Sequence, residues 1–220
     1  MPAASGRLAA LVLAAGSASR LGSRPKCLLE LDGVPLLRRL VDALVGAAID
    51  DVTVVLGHYA DRVAPALAGA PVRVVINPQP QDGQTTSLRV GLAALPDDPV
   101  DVMVALADQP GLEAPDLAAL YAAWQHRPAG LDVLVPRVAG QRGNPVVMSA
   151  RVRRELLAAP ADMGARQWQV AHPRQVGWFD SDNAHFCLDV DTGDDLERFQ
   201  RLTGRSLAWP PGLSAGPPGR

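Results

Sequence analysis

The sequence predicts a three-layer α/β fold, a mostly parallel sheet with helices packed on both of its faces. Short apolar runs rich in Val and Ile recur along the chain at strand length. Helix-length stretches with apolar residues three and four apart separate them. This β-α-β-α alternation is the pattern of a parallel sheet covered on both sides. At 220 residues, 48% apolar and 20% charged, the chain suffices for one sizeable core and is short for two domains.

Leu8–Leu13 reads as the first buried strand, followed by Val52–Leu56, Val72–Ile76, Val102–Leu106 and Val133–Val135. Pro35–Ala48 is the first helix, opened by a proline and carrying Leu36, Leu37, Leu40, Val41 and Leu44 at helical spacing. Tyr59–Leu67, Thr86–Leu95 and Pro115–Trp124 fill the next three gaps. Right-handed crossovers then bring the loops after the strands to one sheet edge, where ligands bind in open α/β folds. Beyond Pro136 the pattern loosens. Val146–Met148 reads as a short strand, the stretch near Arg151–Leu157 as a helix, Phe186–Val190 as another strand and Asp194–Leu202 as the last helix. A single domain is expected over 8–204, with 1–7 flexible and the Pro- and Gly-rich 206–220 flexible or loosely draped. No internal repeat is visible.

Composition excludes several function classes. A net charge of −2 without a Lys/Arg run gives no basic field for nucleic acid. The apolar runs are strand-length, so no membrane span is expected. Met1–Arg7 lacks the pattern of a secretion signal, and the cytoplasm is the expected location. Cys27 and Cys187 stand far apart and are expected to be reduced. Cys27 follows Lys26, which would favour an activated thiol, but a small core-filling residue is the expectation. His58, His126, His172 and His185 show no ligand spacing and are assigned no chemistry.

The segment Leu11–Lys26, LVLAAGSASRLGSRPK, concentrates the chemistry. The first strand stops at Ala14-Ala15-Gly16, and a small polar loop then delivers Arg20, Arg24 and Lys26. Backbone N–H groups in such a loop approach phosphate oxygens closely, while the cations neutralise charge. No Gly-Lys-Ser/Thr follows, so this is no Walker A loop, and Ala18 stands where the dinucleotide fingerprint has its second glycine. Composition alone fits a triphosphate loop and an ordinary strand-to-helix turn equally.

Later stations add acids and hydroxyls. Asp108, just past the strand Val102–Leu106 and before Gln109-Pro110, suits a Mg²⁺ that takes one or two carboxylates plus phosphate oxygens. Position alone allows a turn-forming Asp equally well. In Leu188-Asp189-Val190-Asp191-Thr192, a strand conformation would put Asp189 and Asp191 on one face. That invites a metal shared with Asp108, with Asp189 or Asp191 as its ligand, while Thr192 or Asp194 caps the last helix. Gly83, Thr86 and Ser87 open a helix after a proline-rich loop, where Thr85 or Thr86 as a cap is the plainer reading. Arg137, Arg142 and Arg166 offer guanidinium forks to an anionic phosphate, though each alone reads as a surface residue.

These motifs resemble the MobA-like nucleotidyltransferases, whose signature is a strand, Leu-Ala-(Ala/Gly)-Gly, a small loop, Arg-(Leu/Met)-Gly and Pro-Lys. Here they read Leu13-Ala14-Ala15-Gly16, Arg20-Leu21-Gly22 and Pro25-Lys26. Within that family the chain is most similar to the molybdenum cofactor cytidylyltransferases, or MocA-like proteins, from about Leu8 to about Leu202. The resemblance implies a Rossmann-like nucleotidyltransferase sheet. It implies that Leu13, Ala14, Ala15, Gly16, Arg20 and Lys26 hold the triphosphate, and that Gly83, Thr86 and Ser87 hold base and ribose. Asp108 matches the family's metal station, and Asp189 and Asp191 its Asp-(Ile/Val)-Asp-Thr-Pro pattern, with Gly193 in place of the proline. Arg142 and Asn144, in Arg142-Gly143-Asn144-Pro145, and Arg166, in Asp162-Met163-Gly164-Ala165-Arg166, match segments serving the second substrate. Many cytidylyltransferases have His where Asn144 stands.

The implied reaction joins CMP from CTP to the phosphate of Mo-molybdopterin, giving molybdopterin cytosine dinucleotide and pyrophosphate, with Mg²⁺ or alternatively Mn²⁺. A client molybdoenzyme or its chaperone is the implied further partner. The attacking phosphate is already anionic near neutral pH, since its second pKa is about 6, so no general base is needed. Arg20, Lys26 and Asp108, with the metal, would align and neutralise. Ala15 replaces a glycine of the guanylyl branch, and its methyl favours a pyrimidine. Use of GTP or of a sugar phosphate, and a non-catalytic cofactor-delivery role, stay open as alternatives.

Overall fold

In the computed structural model, which describes residues 7–17, 21–22, 24–96 and 100–213, the apolar runs become the centre of one large sheet. In chain order the elements are β1 Leu8–Ala14, β2 Glu30–Leu31, β3 Val34–Pro35, α1 Leu36–Gly46, β4 Val52–Leu56, α2 Ala60–Val63 and β5 Val72–Ile76. There follow α3 Gln84–Ala94, β6 Asp101–Leu106, α4 Ala114–Gln125, β7 Val133–Val138, β8 Gln141–Arg142, β9 Val146–Met148 and α5 Ala150–Ala158. The chain continues through α6 Ala165–Ala171, β10 Val176–Asp180, α7 Gly193–Thr203 and β11 Leu207–Ala208. The large sheet runs β10-β7-β9-β6-β1-β4-β5, with β8 hairpinned onto β7. The pairings β5-β4, β4-β1, β1-β6 and β7-β10 are parallel, and β9 runs antiparallel to both neighbours. This is the expected mostly parallel α/β sheet.

Alternate residues of β1 feed opposite layers, as the two-residue period of a strand requires. Ala10 and Val12 pack with Leu37, Leu40 and Leu44 of α1 and Leu117, Leu120 and Trp124 of α4. Leu11 and Leu13 pack with Leu88 and Leu92 of α3, Val152 and Leu156 of α5 and Trp168 of α6. Each such fully buried aliphatic side chain contributes roughly 1.5–3 kcal/mol relative to exposure. A third, smaller cluster joins Leu21, Leu29, Leu31 and Leu36 to Leu188, Val190 and Phe199 beside a three-stranded sheet, β11-β2-β3. No helix among the described residues is long and apolar enough to cross a membrane.

Two expectations are corrected. Phe186–Val190 is not a strand: a 3-10 turn covers Ala184–Cys187 and the chain then runs irregularly. Its apolar residues are buried for other reasons. Phe186 meets Phe179 edge-on at 5.7 Å between ring centroids, and Leu188 and Val190 enter the third cluster. The strand of this region is β10, at the edge of the large sheet. The tail after Ser206 is tied down over part of its length, since Leu207 and Ala208 pair antiparallel with Leu31 and Glu30. Residues 1–6 and 214–220 lie outside the described residues.

Candidate active site

The loops after β1, β4 and β6 and the loop before α3 meet along one sheet edge and enclose a cavity of about 510 Å³, within the range of small-molecule sites. Its wall includes Leu13, Ala14, Ala15 and Gly16 from the first loop, Lys26, Gly83 and Ser87, and Asp108 with Leu106 from the end of β6. A Cβ at Gly16 or Gly83 would meet nothing within 4 Å. Gly83 has φ +97°, a conformation glycine adopts without strain, and it precedes α3 with no side chain capping that helix. The first amides of α3 thus donate to no capping side chain.

Ala15 is buried, and a Cβ at Gly57 would lie 2.7 Å from both the Ala15 and the Pro80 Cβ. The loops after β1 and β4 therefore close on each other only because Gly57 has no side chain. Asn77, buried at the end of β5, donates to Thr86 Oγ1 and Ser87 Oγ, both at 2.9 Å, and accepts from the Gln79 N–H at 3.0 Å. Thr86 in turn donates to the Gly83 carbonyl at 2.8 Å. Its hydroxyl thus holds the loop together and does not line the cavity, whereas Ser87 does. Neither Thr85 nor Thr86 caps α3; the N-cap position is Gly83.

At the mouth of the cavity, Lys26 sits in a 3-10 turn, Lys26–Leu28, and its Nζ donates to Asp108 Oδ2 at 2.7 Å and to Asp191 Oδ1 at 2.5 Å. Burial alone would lower its pKa, but the two carboxylates outweigh that and raise it, so the ammonium is held charged. Asp189 reaches solvent, yet loss of hydration and the charges of Asp108, Asp191 and Asp195 push its carboxyl above the usual range. Asp195 does a different task. Thr192 caps α7 by accepting from the Asp195 N–H, and Asp195 Oδ2 accepts from the Asp191 and Thr192 N–H groups at 3.0 and 2.8 Å. This capping box aims Asp191 at Lys26. The Val190 N–H bonds the Asp108 carbonyl at 3.0 Å and fastens the two acidic stations together.

A divalent cation fits these residues in one form only. Among the described residues no three acids or imidazoles make a ready cage. Asp108 Oδ1, however, is buried without a hydrogen-bond partner, although Lys26 occupies Oδ2. A site of one or two carboxylates completed by ligand oxygens is the kind Mg²⁺ takes. Asp108 and Asp191, which meet at Lys26, are the carboxylates that would supply it, and Asp189 lies near enough to both to feel their charge.

The second-substrate candidates lie further along the same edge. Arg142 donates to the buried Gln169 of α6 at 2.8 Å, and burial together with the nearby Arg166 charge lowers its pKa. These two arginines are brought together. Arg137 is not free to join them, because it is paired with Asp180 at 2.6 and 2.8 Å. Asn144 lies in the turn before β9, its N–H on the Phe186 carbonyl at 2.9 Å, an oxygen that also accepts from the buried Gln109 Nε2 at 3.1 Å. Gly143 is required beside it, since a Cβ there would come 2.4 Å from that oxygen. Arg24, counted with the loop cations from sequence, instead bonds the Leu213 carbonyl at 3.1 Å. Arg20 lies outside the described residues. Two residues escaped the sequence reading. His58 lines the cavity directly after β4, and its place after a strand was the available signal. Asn77 is the hidden brace of the Gly83–Ser87 turn, and no spacing announces it.

Comparison with known proteins places the chain in a family and agrees with its fold. The MobA-like NTP transferase domain matches residues 10–176. Nicotine blue oxidoreductase from Paenarthrobacter nicotinovorans is 31% identical over 199 residues, covering 87% of this chain and 93% of that protein. Among solved structures, Rv0371c from Mycobacterium tuberculosis H37Rv has a TM-score of 0.73 at 30% identity, covering 89% of this chain and 98% of that one. The same protein has been solved in complex with manganese. A nucleotidyl transferase from Methanothermobacter thermautotroptrophicus has a TM-score of 0.71 at 25% identity, covering 90% of this chain and 98% of that one.

Proposed function

This chain belongs to the MobA-like NTP transferase family, and from that premise we propose that it transfers CMP from CTP to the phosphate of Mo-molybdopterin, releasing pyrophosphate. The observation that carries the transfer is Lys26 held between Asp108 and Asp191 at the mouth of a cavity floored by the Ala14–Gly16 loop. That loop and the uncapped start of α3 offer N–H groups to the phosphates, and Lys26 supplies positive charge. The acceptor phosphate attacks the α-phosphorus, a P–O bond forms, and the bond to the β-phosphate oxygen breaks with its electron pair leaving on pyrophosphate. A bound Mg²⁺ or Mn²⁺, held by Asp108 and Asp191, would neutralise charge on the triphosphate. Arg142 and Arg166, near enough for the charge of one to lower the pKa of the other, receive the anionic acceptor.

CTP is preferred in this reading because the Ala15 methyl, in the cavity wall beside Gly57, narrows the slot beside the base. The cytoplasm is the proposed location, and a client molybdoenzyme or its chaperone the proposed recipient of product. Pyrophosphate release measured with each NTP, with and without Mo-molybdopterin, is expected to require that acceptor and to be fastest with CTP. Faster turnover of GTP removes the cytidylyl assignment, and turnover with a sugar phosphate alone removes the acceptor. One observation favours a second reading, namely the oxidoreductase name of a relative that aligns over 87% of this chain. Reduction of nicotine blue by a supplied electron donor, with no pyrophosphate released from any NTP, would select it.

A further inference from the structure

The C-terminal segment braces the nucleotide loop from outside the cavity. Arg24, two residues before Lys26, places its guanidinium 4.3 Å from the centre of the Trp209 ring. Its Nε donates to the Leu21 carbonyl and its NH1 to the Leu213 carbonyl, both at 3.1 Å. One side chain therefore ties the signature loop to two points of the tail. β11 pairs with β2, which begins just after the Lys26–Leu28 turn, and Arg205 is ion-paired with Asp32 in the β2–β3 connection. Leu207 and Trp209 also pack on the third cluster, which holds Leu21 from the loop and Leu188 and Val190 from the acidic station.

From these contacts we infer that residues 205–213 are a positioning element of the nucleotide site, with Arg24 and Trp209 as its positioning residues. They fix the loop that carries Lys26 against the segment that carries Asp191. The physical reason is the weakness of what lies between. Lys26 stands in a three-residue turn followed by β2 and β3, each two residues long. A two-stranded hairpin is marginal alone, and a third strand with an apolar face makes such a sheet stable. β11 supplies that strand, and Trp209 extends the apolar face. A displacement of about 1 Å in a catalytic group can cost about a hundredfold in rate, so bracing this turn bears directly on Lys26. This inference rests on the nucleotide reading above for its kinetic consequence, but not for its structural one.

The test uses the full chain and three variants, Trp209→Ala, Arg24→Gln and the two combined. Amide hydrogen exchange is followed at residues 24–31 and, as an internal control, in β1 and α1, alongside NTP-dependent pyrophosphate release. Trp209→Ala is expected to speed exchange at 24–31 by about tenfold or more while β1 and α1 keep their protection. It should also lower kcat/KM by about tenfold or more. Because the two residues share the contact between guanidinium and ring, the combined variant should lose less than the sum of the two single losses. Unchanged exchange at 24–31 in both single variants would overturn the inference. Fully additive losses in the combined variant would also overturn it. If the unmodified protein turns over no NTP, the transferase reading fails, and the exchange data still decide the brace.

Discussion

Two adjacent residues at the cavity mouth have opposite duties. Lys26 keeps its charge because Asp108 and Asp191 outweigh the burial that would remove it. A charge-assisted hydrogen bond contributes about 1.5–3 kcal/mol. Lys26→Ala should therefore reduce kcat/KM for the preferred nucleotide by about tenfold or more, while circular dichroism shows the fold retained. Unaltered kinetics would remove the triphosphate from this loop. Cys27, the next residue, is core. Burial, joined by the Asp108 charge, pushes its thiol up to about 12 from 9.0, so it is no nucleophile at neutral pH. The folded protein keeps this proton where the unfolded chain releases it. Its contribution is thus fully present below pH 9.0 and is lost as pH rises toward about 12. The stability advantage of the unmodified protein over Cys27→Ala, read from urea unfolding, should shrink as pH rises through that window. An advantage that is constant with pH would contradict the shift.

At the scale of elements, what could be read in advance followed burial on two faces. β1, β4, β6 and the first half of β7 are apolar at nearly every position because helices cover both sides, and they were legible as uninterrupted runs. β10 was not, since Val176-Gly177-Trp178-Phe179-Asp180 is an edge strand only partly covered and interrupted by a glycine. Phe186–Val190 has the apolar content of a strand but no neighbour to pair with, and its side chains are buried by Phe179 and the third cluster instead. β2, β3 and β11 are too short to show any period. The candidate site divides along the same line. Ala14–Gly16, Lys26 and Asp108 were legible because they follow strands or a signature. The joining of Lys26 to Asp191 was not, because 165 residues separate them and the connecting segment is irregular. Helix ends were equally hidden. Arg153 of α5 donates to the Leu92, Leu95 and Pro96 carbonyls at the end of α3, while Arg89 of α3 donates to the Leu156 and Leu157 carbonyls at the end of α5. Each helix thus caps the other's C-terminus, a reciprocity that neither sequence segment displays alone.

For the whole molecule, a parallel sheet separates chemistry from support. The cavity takes the carboxyl edge of β1, β4 and β6, and the opposite edge carries a buried polar lock. Asp101, first residue of β6, accepts from Trp124 Nε1 at 2.8 Å and from the Ala150 N–H at 2.9 Å, and pairs with Arg127 at 3.3 Å. Arg127 also lies 3.6 Å over the Trp124 ring. The lock fastens β6, α4 and α5 together. Removing one partner of a buried ion pair costs about 3–5 kcal/mol, because the other charge is left without compensation. Asp101 and Leu106 stand at opposite ends of β6, so roughly 16 Å separates them at about 3.3 Å per residue, and Asp108 lies in the turn beyond Leu106. Effects at sites further apart than about 10 Å are independent unless they share partners. Asp101→Ala should therefore lower unfolding stability by about 3–5 kcal/mol in urea titrations. At a temperature where the variant remains folded, its kcat/KM for nucleotide should stay within about twofold of the unmodified protein. Asp108→Asn should do the reverse, abolishing turnover with little loss of stability. If Asp101→Ala instead lost activity in proportion to its stability while still folded, the two edges would be coupled, and the division of labour described for this sheet would be wrong.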